Sequence, residues 1–125
     1  MKINIKTTNI ELTPAISSYV EDKVNMLDKF IVVADPESVN ADVEIGTTTK
    51  HHQAGDIFRA EINLHIAGKL LRSVAKKDDL YAAIDEMKDD LARQINADKG
   101  KERTMIKKGK SKLKALLKDF NKEEE

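Results

Sequence analysis

Residues 56–84 follow a pattern that leaves few folds open. Apolar side chains alternate with polar ones from Phe58 to Ile66, the period of a strand with one buried and one open face. Ala67-Gly68-Lys69 predicts a chain reversal, and Leu70 to Ala75 predicts a second strand beside the first. A helix should follow, because Asp78 or Asp79 can accept hydrogen bonds from its first N–H groups. Its apolar stripe recurs at helical spacing, at Leu80, Ala83, Ile84, Met87, Leu91 and Ile95.

The N-terminal half predicts a strand, a helix and a further strand. Lys2 to Thr7 alternates like a strand, and Thr13-Pro14 is typical of a helix start. That helix should end near Phe30 or Val32, because Asp35-Pro36 disfavours helical geometry at Asp35. Asn40 to Gly46 predicts the next strand, and a polar loop, Thr47 to Gly55, follows it.

These elements predict an α+β fold of order β-α-β-β-β-α. The expected architecture is a two-layer sandwich, in which two helices cover one face of a four-stranded sheet. The helices should share that face because the opposite faces of strands one to three are polar. The polar positions are Asn4, Lys6, Asp42, Glu44, Arg59, Glu61, Asn63 and His65. The facing of strand four stays open, since neither set of its alternate residues is cleanly apolar.

Charge divides the chain into two unlike parts. The net charge is zero, but residues 1–97 hold 12 basic against 16 acidic residues, and residues 98–125 hold 10 against 6. We therefore expect a domain at 1–97 and a basic C-terminal extension at 98–125, with a flexible linker and a short amphipathic helix at 110–120. Such asymmetry favours an acidic partner, a nucleic acid or a membrane surface, although a merely solubilising tail is the alternative.

Composition narrows the remaining functions. The absence of cysteine removes thiol nucleophiles and thiolate metal sites, and it suits a reducing cytoplasm. The first residues contain neither a signal peptide nor a membrane span, so we expect a cytoplasmic protein that binds no membrane. His51, His52 and His65 lack a third ligand at a zinc-like spacing, and no phosphate-binding or nucleophile motif is present. We expect no metal, cofactor, catalytic residue or small-molecule substrate.

Basic side chains are the strongest candidates for function. Lys23 falls within the apolar arc of the first helix, where a lysine is costly unless its ammonium reaches water or a ligand. Snorkelling to water alone would also explain it. Other cations are expected along the side of the domain where the two helices meet, a footprint for phosphates. They are Lys29, Lys76, Lys77, Lys88 and Arg93, joined in the extension by Lys99, Lys101, Arg103, Lys107 and Lys108.

Several blocks resemble the bacterial family of ribosome hibernation promoting factors and ribosome-associated translation inhibitors. The blocks run in unbroken order over residues 1–96: Ile3-Asn4-Ile5, Asn9-Ile10-Glu11-Leu12-Thr13-Pro14-Ala15-Ile16, Lys23, Lys29, Asp79-Leu80-Tyr81-Ala82-Ala83-Ile84-Asp85 and Leu91-Ala92-Arg93-Gln94. The resemblance implies a fold similar to double-stranded RNA-binding domains. It also implies docking on the small ribosomal subunit and its rRNA, in the messenger channel over the transfer RNA sites, so that idle ribosomes are silenced and protected.

The family's basic positions match at Lys23, Lys29, Lys76-Lys77 and Arg93. Two departures are Asp90 and Ala97, where the family commonly has lysines, and Lys88 compensates only in part. Longer family members carry a C-terminal β domain, but this tail is shorter and more basic. The resemblance therefore implies a short-type factor, with a monomer expected off the ribosome.

Three hypotheses remain from the sequence. The first is a ribosome-binding silencer of translation in stress or stationary phase. The second is a general double-stranded RNA-binding protein without ribosome preference. The third is a small enzyme that uses His65 or the acids of the open sheet face.

Overall fold

The computed structural model describes residues 1–33, 35–48 and 56–98. Within them the predicted order β-α-β-β-β-α is confirmed: β1 (Lys2–Thr8), α1 (Pro14–Asn25), β2 (Asn40–Thr47), β3 (Phe58–Ile66), β4 (Lys69–Lys77) and a second helix, α2, over residues 80–98. The chain divides into the unit Met1–Ile95 and the unit Asn96–Glu125, of which only residues 96–98 are described. The boundary expected after residue 97 stays a prediction. Several predicted features lie outside the described residues: His51, His52, the linker, the helix at 110–120 and the five cations from Lys99 to Lys108.

The four strands form one sheet in the order β1-β2-β3-β4. β1 pairs with β2 in parallel, which requires α1 to carry the chain back across the sheet, and β2, β3 and β4 form an antiparallel meander. α1 and α2 share a single hydrophobic core with the inward side chains of the sheet, so both helices cover the same face. The other face is open.

α1 begins as the sequence predicts and ends earlier. The Thr13 hydroxyl accepts a hydrogen bond from the Ile16 N–H at 3.2 Å, and Pro14 occupies the first turn. The α-helix ends at Asn25, after which Met26–Phe30 continues as a 3-10 helix. Lys29 therefore lies on this tighter turn and not on α1 itself.

The β3–β4 hairpin closes through Ala67 and Gly68, which have φ values of 47° and 80°. Two consecutive positive φ angles are what a tight hairpin turn needs to match the twist of its strands. This turn sets the register, in which Arg59 pairs with Lys76 and Asn63 with Arg72.

That register decides the facing of β4, which the sequence left open. Ser73 and Ala75 are buried and Leu71 is half-buried toward the helices, while Leu70 and Arg72 are exposed on the other side. β4 is an edge strand, and α2 lies close to it, since the Gln94 side-chain amide donates to the Arg72 carbonyl oxygen at 2.8 Å.

α2 begins after Asp79, whose carboxylate accepts a hydrogen bond from the Ala82 N–H at 3.0 Å. Its predicted apolar stripe is buried from Leu80 to Ile95. Among the described residues, no helix is both long and apolar enough to cross a membrane.

Candidate nucleic-acid interface

Asp85 of α2 joins the two helices through a pair of contacts. The Tyr19 hydroxyl donates to Asp85 Oδ1 at 2.6 Å, and Lys23 Nζ lies 3.3 Å from the same oxygen. Lys23 Nζ also lies 5.3 Å from the centre of the Tyr19 ring, which meets the Tyr81 ring edge-on at 4.7 Å. The Lys23 side chain is 24% exposed, so its ammonium sits at the helix junction and still reaches solvent. This is how a lysine is tolerated in the apolar arc.

This arrangement raises the pKa of Tyr19 to about 12. The main cause is the hydrogen bond to Asp85, which is lost when the phenol ionises; burial and the negative charge of Asp85 act in the same direction. The Tyr19 hydroxyl is therefore a fixed donor at neutral pH, and Asp85 is shared between a hydroxyl and an ammonium group.

Three more predicted cations lie against carboxylates of α2. Lys88 Nζ is 2.6 Å from Asp89 Oδ1, Arg93 Nη2 is 3.6 Å from Asp90 Oδ1, and Lys77 Nζ is 2.9 Å from Glu86 Oε2. The hydrogen bond from Lys88 holds the pKa of Asp89 below its usual range, and the charges of Lys88, Arg93 and Lys23 add to this effect although burial opposes it. Lys88 thus contacts Asp89 directly, while Lys23 and Arg93 act on it only through their charge.

In the Lys77–Glu86 ion pair it is the pKa of the basic partner that is shifted. Its hydrogen bond to Glu86, together with the negative charge of that carboxylate, raises the pKa of Lys77. Because the pair is exposed, it contributes little to stability and can be exchanged for another anion.

Lys29 and Lys76 do not join this group. Lys29 Nζ lies over the Phe30 ring, 5.0 Å from its centre. Lys76 and Lys77 are neighbours on β4, so their side chains leave opposite faces of the strand. Lys77 reaches α2, while Lys76 lies on the open face of the sheet beside Arg59 and has no ion-pair partner in the described part of the chain.

The open face carries an arginine pair that is not among the cations predicted from the sequence. Both guanidinium groups bind the Glu61 carboxylate: Arg59 Nη1 is 3.1 Å from Oε2, and Arg72 Nε and Nη2 are each 2.6 Å from Oε1. Burial alone would raise the pKa of Glu61, but the two arginines outweigh it and the pKa is lowered. Strand alternation placed Arg59 on this face, but Arg72 joins it only through the hairpin register.

The described residues contain no group of three His, Cys, Asp or Glu side chains placed to hold a metal ion. His65 lies 3.5 Å from Asp42, and Asn4 donates to that carboxylate at 3.0 Å, so these side chains form a polar row across the open face. The arrangement offers cations and donors to an anionic surface.

Comparison with known proteins decides the family. The family model described as "Sigma 54 modulation protein / S30EA ribosomal protein" matches residues 3–103. The chain belongs to this family. The resemblance seen in the sequence is thereby confirmed, since members of this family include curated relatives named as ribosome hibernation factors.

Two of these relatives differ in length. The "Ribosome hibernation promoting factor" of Klebsiella oxytoca is 34% identical over 101 residues, which cover 81% of this chain and 96% of that protein. The "Ribosome hibernation promotion factor" of Lactococcus lactis is 35% identical over 95 residues, which cover 76% of this chain but only 48% of that protein. The chain thus spans nearly all of one relative and about half of the other.

A solved structure supports the same fold. The crystal structure of the N-terminal domain of Thermus thermophilus Protein Y is 34% identical, with a TM-score of 0.64 over 76% of this chain and 96% of that chain. The predicted fold class is therefore confirmed by the architecture and by a related domain.

Proposed function

We propose that this protein is a ribosome hibernation factor that binds the small ribosomal subunit in the messenger channel and transfer RNA site region. It silences translation in starved or stationary cells and protects idle ribosomes, without a catalytic step. The observation that carries the proposal is the family match over residues 3–103, together with a relative named as a hibernation factor that aligns over 101 residues. The protein acts in the cytoplasm, as a monomer when it is off the ribosome.

Binding uses phosphate contacts from the predicted cations. On the described domain these are Lys23, Lys29, Lys76, Lys77, Lys88 and Arg93, and in the extension they are Lys99, Lys101, Arg103, Lys107 and Lys108. RNA carries closely spaced phosphates, and each basic contact releases a condensed counterion. Most of the binding free energy therefore depends on salt.

The carboxylates of α2 do not prevent these contacts. Lys77 and Glu86 are each almost half exposed as side chains, so water screens the pair and it contributes little to stability. Exchange of such a carboxylate for a phosphate therefore costs little. Before binding, the ion pair with Glu86 also holds the Lys77 side chain close to the position that it needs in the complex. This reduces the conformational entropy that the side chain loses on binding.

The first experiment is sedimentation of the purified full-length protein with vacant small subunits, large subunits and whole ribosomes at low salt. We expect co-sedimentation with small subunits and ribosomes, little competition from excess RNA duplex, and reduced synthesis in a cell-free translation system. Binding to free duplex without sedimentation on ribosomes would contradict the proposal and favour the general RNA-binding alternative.

A matched pair of variants tests the helix side of the interface. Lys77→Gln with Arg93→Gln removes two charges beside α2, where we expect weaker ribosome binding. Lys2→Gln with Lys69→Gln removes the same charge at the end of the sheet away from Lys77, where we expect little change. All four side chains are exposed, and such substitutions usually change stability by about ±0.5 kcal/mol. Equal binding by the two double variants would exclude this surface.

A further inference from the structure

The two layers of the domain carry opposite charge. In the helical layer, residues 14–30 and 78–95, nine side chains are acidic and four are basic. The acids are Glu21, Asp22, Asp28, Asp78, Asp79, Asp85, Glu86, Asp89 and Asp90, and the bases are Lys23, Lys29, Lys88 and Arg93. On the open face of the sheet the bases Lys2, Lys6, Arg59, Arg72 and Lys76 outnumber the acids Asp42, Glu44 and Glu61. A polyanion is therefore attracted more strongly to the open face than to most of the helical layer.

Three of these cations form one group on β3 and β4, here called the open-face patch: Arg59, Arg72 and Lys76. Arg59 and Lys76 are direct register partners, and Arg72 reaches Arg59 through the carboxylate that they share. Two carboxylates, Glu61 and its register partner Glu44, face the three cations, so the patch keeps a local excess of one positive charge. The Arg72 side chain is 57% exposed and the Glu61 side chain only 12%. Glu61 thus anchors the two guanidinium groups from below, while Arg72 stays open to a ligand.

A cavity of about 120 Å³ borders the patch at Gly46, between Arg59 and the hydroxyl of Thr8. Gly46 lies between these two residues in the sheet, and its lack of a side chain leaves the space open. A Cβ there would lie 2.5 Å from the Thr8 carbonyl oxygen, so the close approach of β1 and β2 requires glycine. Glu44 also lines the cavity, and the Thr8 hydroxyl donates to its carboxylate at 2.9 Å, so the donor that the cavity offers to a phosphate oxygen is the Arg59 guanidinium.

We propose that the open-face patch is a second binding surface for the RNA backbone, so that RNA contacts the domain on both faces of the sheet. This inference rests on the proposed function as a ribosome-bound factor and adds a surface that the helix-side cations do not include. The Glu61 anchor holds the arginines in place before binding, which lowers the entropy cost of the contacts. Arg72 binds Glu61 through Nε and Nη2, so its Nη1 group remains to donate to phosphate oxygens.

The test compares Arg72→Gln with Lys76→Gln against the control Lys2→Gln with Lys69→Gln. Lys2 and Lys76 are about six residues apart along the strands, which corresponds to roughly 20 Å. Binding of each full-length variant is measured at several salt concentrations, with vacant small subunits and separately with a short RNA duplex. Circular dichroism and thermal unfolding confirm that each variant is folded.

We expect the patch variant to flatten the slope of log affinity against log salt by about 2 and the control to leave it nearly unchanged. At 0.1 M salt this corresponds to a loss of roughly tenfold in affinity for each contact. Lys76→Gln alone, which breaks no ion pair within the described residues, should change the slope by about 1. Slopes equal to that of the control would overturn the proposal.

The two probes separate this inference from the proposed function. Failure of the wild type to bind small subunits, with the patch effect retained on duplex RNA, would reject the ribosome assignment and support the patch. If the wild type binds small subunits and the patch variant has the same salt slope as the control on both probes, the ribosome assignment is supported and the open-face patch is rejected. Polyglutamate serves as a third probe, which carries negative charge without RNA. A loss of affinity in the patch variant for polyglutamate but not for RNA would overturn the inference in favour of an acidic protein partner.

Discussion

Replacement of Asp85 by asparagine should loosen the junction of α1 and α2 by a measurable amount. The carboxylate accepts the Tyr19 hydroxyl at 2.6 Å and lies 3.3 Å from Lys23 Nζ. A hydrogen bond to a charged group contributes about 1.5–3 kcal/mol, whereas an exposed ion pair contributes about 0–1 kcal/mol. The Asp85 side chain is 42% exposed, and asparagine retains one acceptor oxygen. After allowance for solvent screening, we expect Asp85→Asn to lower the free energy of unfolding by about 1–2 kcal/mol at pH 7.

The ionisation of Tyr19 gives an independent measurement. Its pKa of about 12 should fall toward the ordinary value of about 10 in Asp85→Asn, because the main cause of the shift is removed. Since the folded state favours the neutral phenol, the stabilisation is fully present below pH ~10 and is lost as pH rises from about 10 to about 12. The ultraviolet titration of wild type minus that of Tyr19→Phe isolates this one group.

A double-mutant cycle with Tyr19→Phe and Asp85→Asn apportions the contact. Urea unfolding, followed by the helical circular-dichroism signal, should give a coupling free energy of about 1 kcal/mol. Asp22→Asn is the matched control, because Asp22 is exposed on α1 and has no ion-pair partner in the described part of the chain. Additivity within about 0.5 kcal/mol, with an unchanged tyrosine titration, would refute the assignment.

Four further predictions concern the sheet, the core and the extension. The lowered pKa of Glu61 means that its stabilisation is present above its ordinary pKa of 4.5 and is lost as pH falls through the folded value. Glu61→Gln should therefore cost about 1–2 kcal/mol at pH 7 in urea unfolding, and this cost should shrink steadily as the pH is lowered through the acid range. Gly46→Ala should lower thermal stability by about 1–3 kcal/mol through the clash with the Thr8 carbonyl, whereas Gly68→Ala meets no atom within 4 Å and should show only the smaller strain of its positive φ. Ser73→Ala should be neutral or stabilising by up to about 1 kcal/mol in the same assay, because the buried Ser73 Oγ has no hydrogen-bond partner among the described residues. Deletion of everything after Asn96 should leave a folded domain, since Ile95 is the last core residue described, and should flatten the salt slope of ribosome binding by about 3 if roughly four phosphates are lost; equal slopes would show that the extension does not touch RNA.

Most of the fold could be predicted because local patterns and tertiary packing agree. The predicted alternation from Phe58 to Ile66 coincides with the bounds of β3. The predicted caps Thr13 and Asp79 each accept a hydrogen bond from an N–H group in the first turn of their helix. β4 could not be oriented from its residues, because Ser73 takes an inward position while Leu70 takes an outward one. Side-chain polarity therefore does not predict which face of β4 is buried. Pairing with β3 decides the facing, and that pairing depends on the backbone of the turn.

The candidate site was predictable only in part, for a different reason. Lys23 stood out because a charge in an apolar arc needs an explanation, and Asp85 supplies one. The separation of Lys76 from Lys77 follows from strand alternation alone. The acid partner of Lys23 cannot be predicted from a local pattern, because Asp85 reaches Lys23 only through the packing of α1 against α2. Likewise, Arg59 and Arg72 meet at Glu61 only because the hairpin register brings β4 beside that residue.

Under the proposed function, the pairing of cations with carboxylates on α2 should affect which RNA the domain binds. A single phosphate that approaches Lys88 must displace Asp89, and another that approaches Arg93 must displace Asp90. Each exchange gains little by itself, because one anion replaces another. An RNA surface that places several phosphates opposite these cations at once gains free energy from counterion release at every contact. An RNA whose phosphates do not match the positions of the cations makes fewer contacts and releases fewer counterions. We therefore expect the acids of α2 to weaken non-specific binding more than binding to a shape-matched site, which is how repulsive charge contributes to specificity.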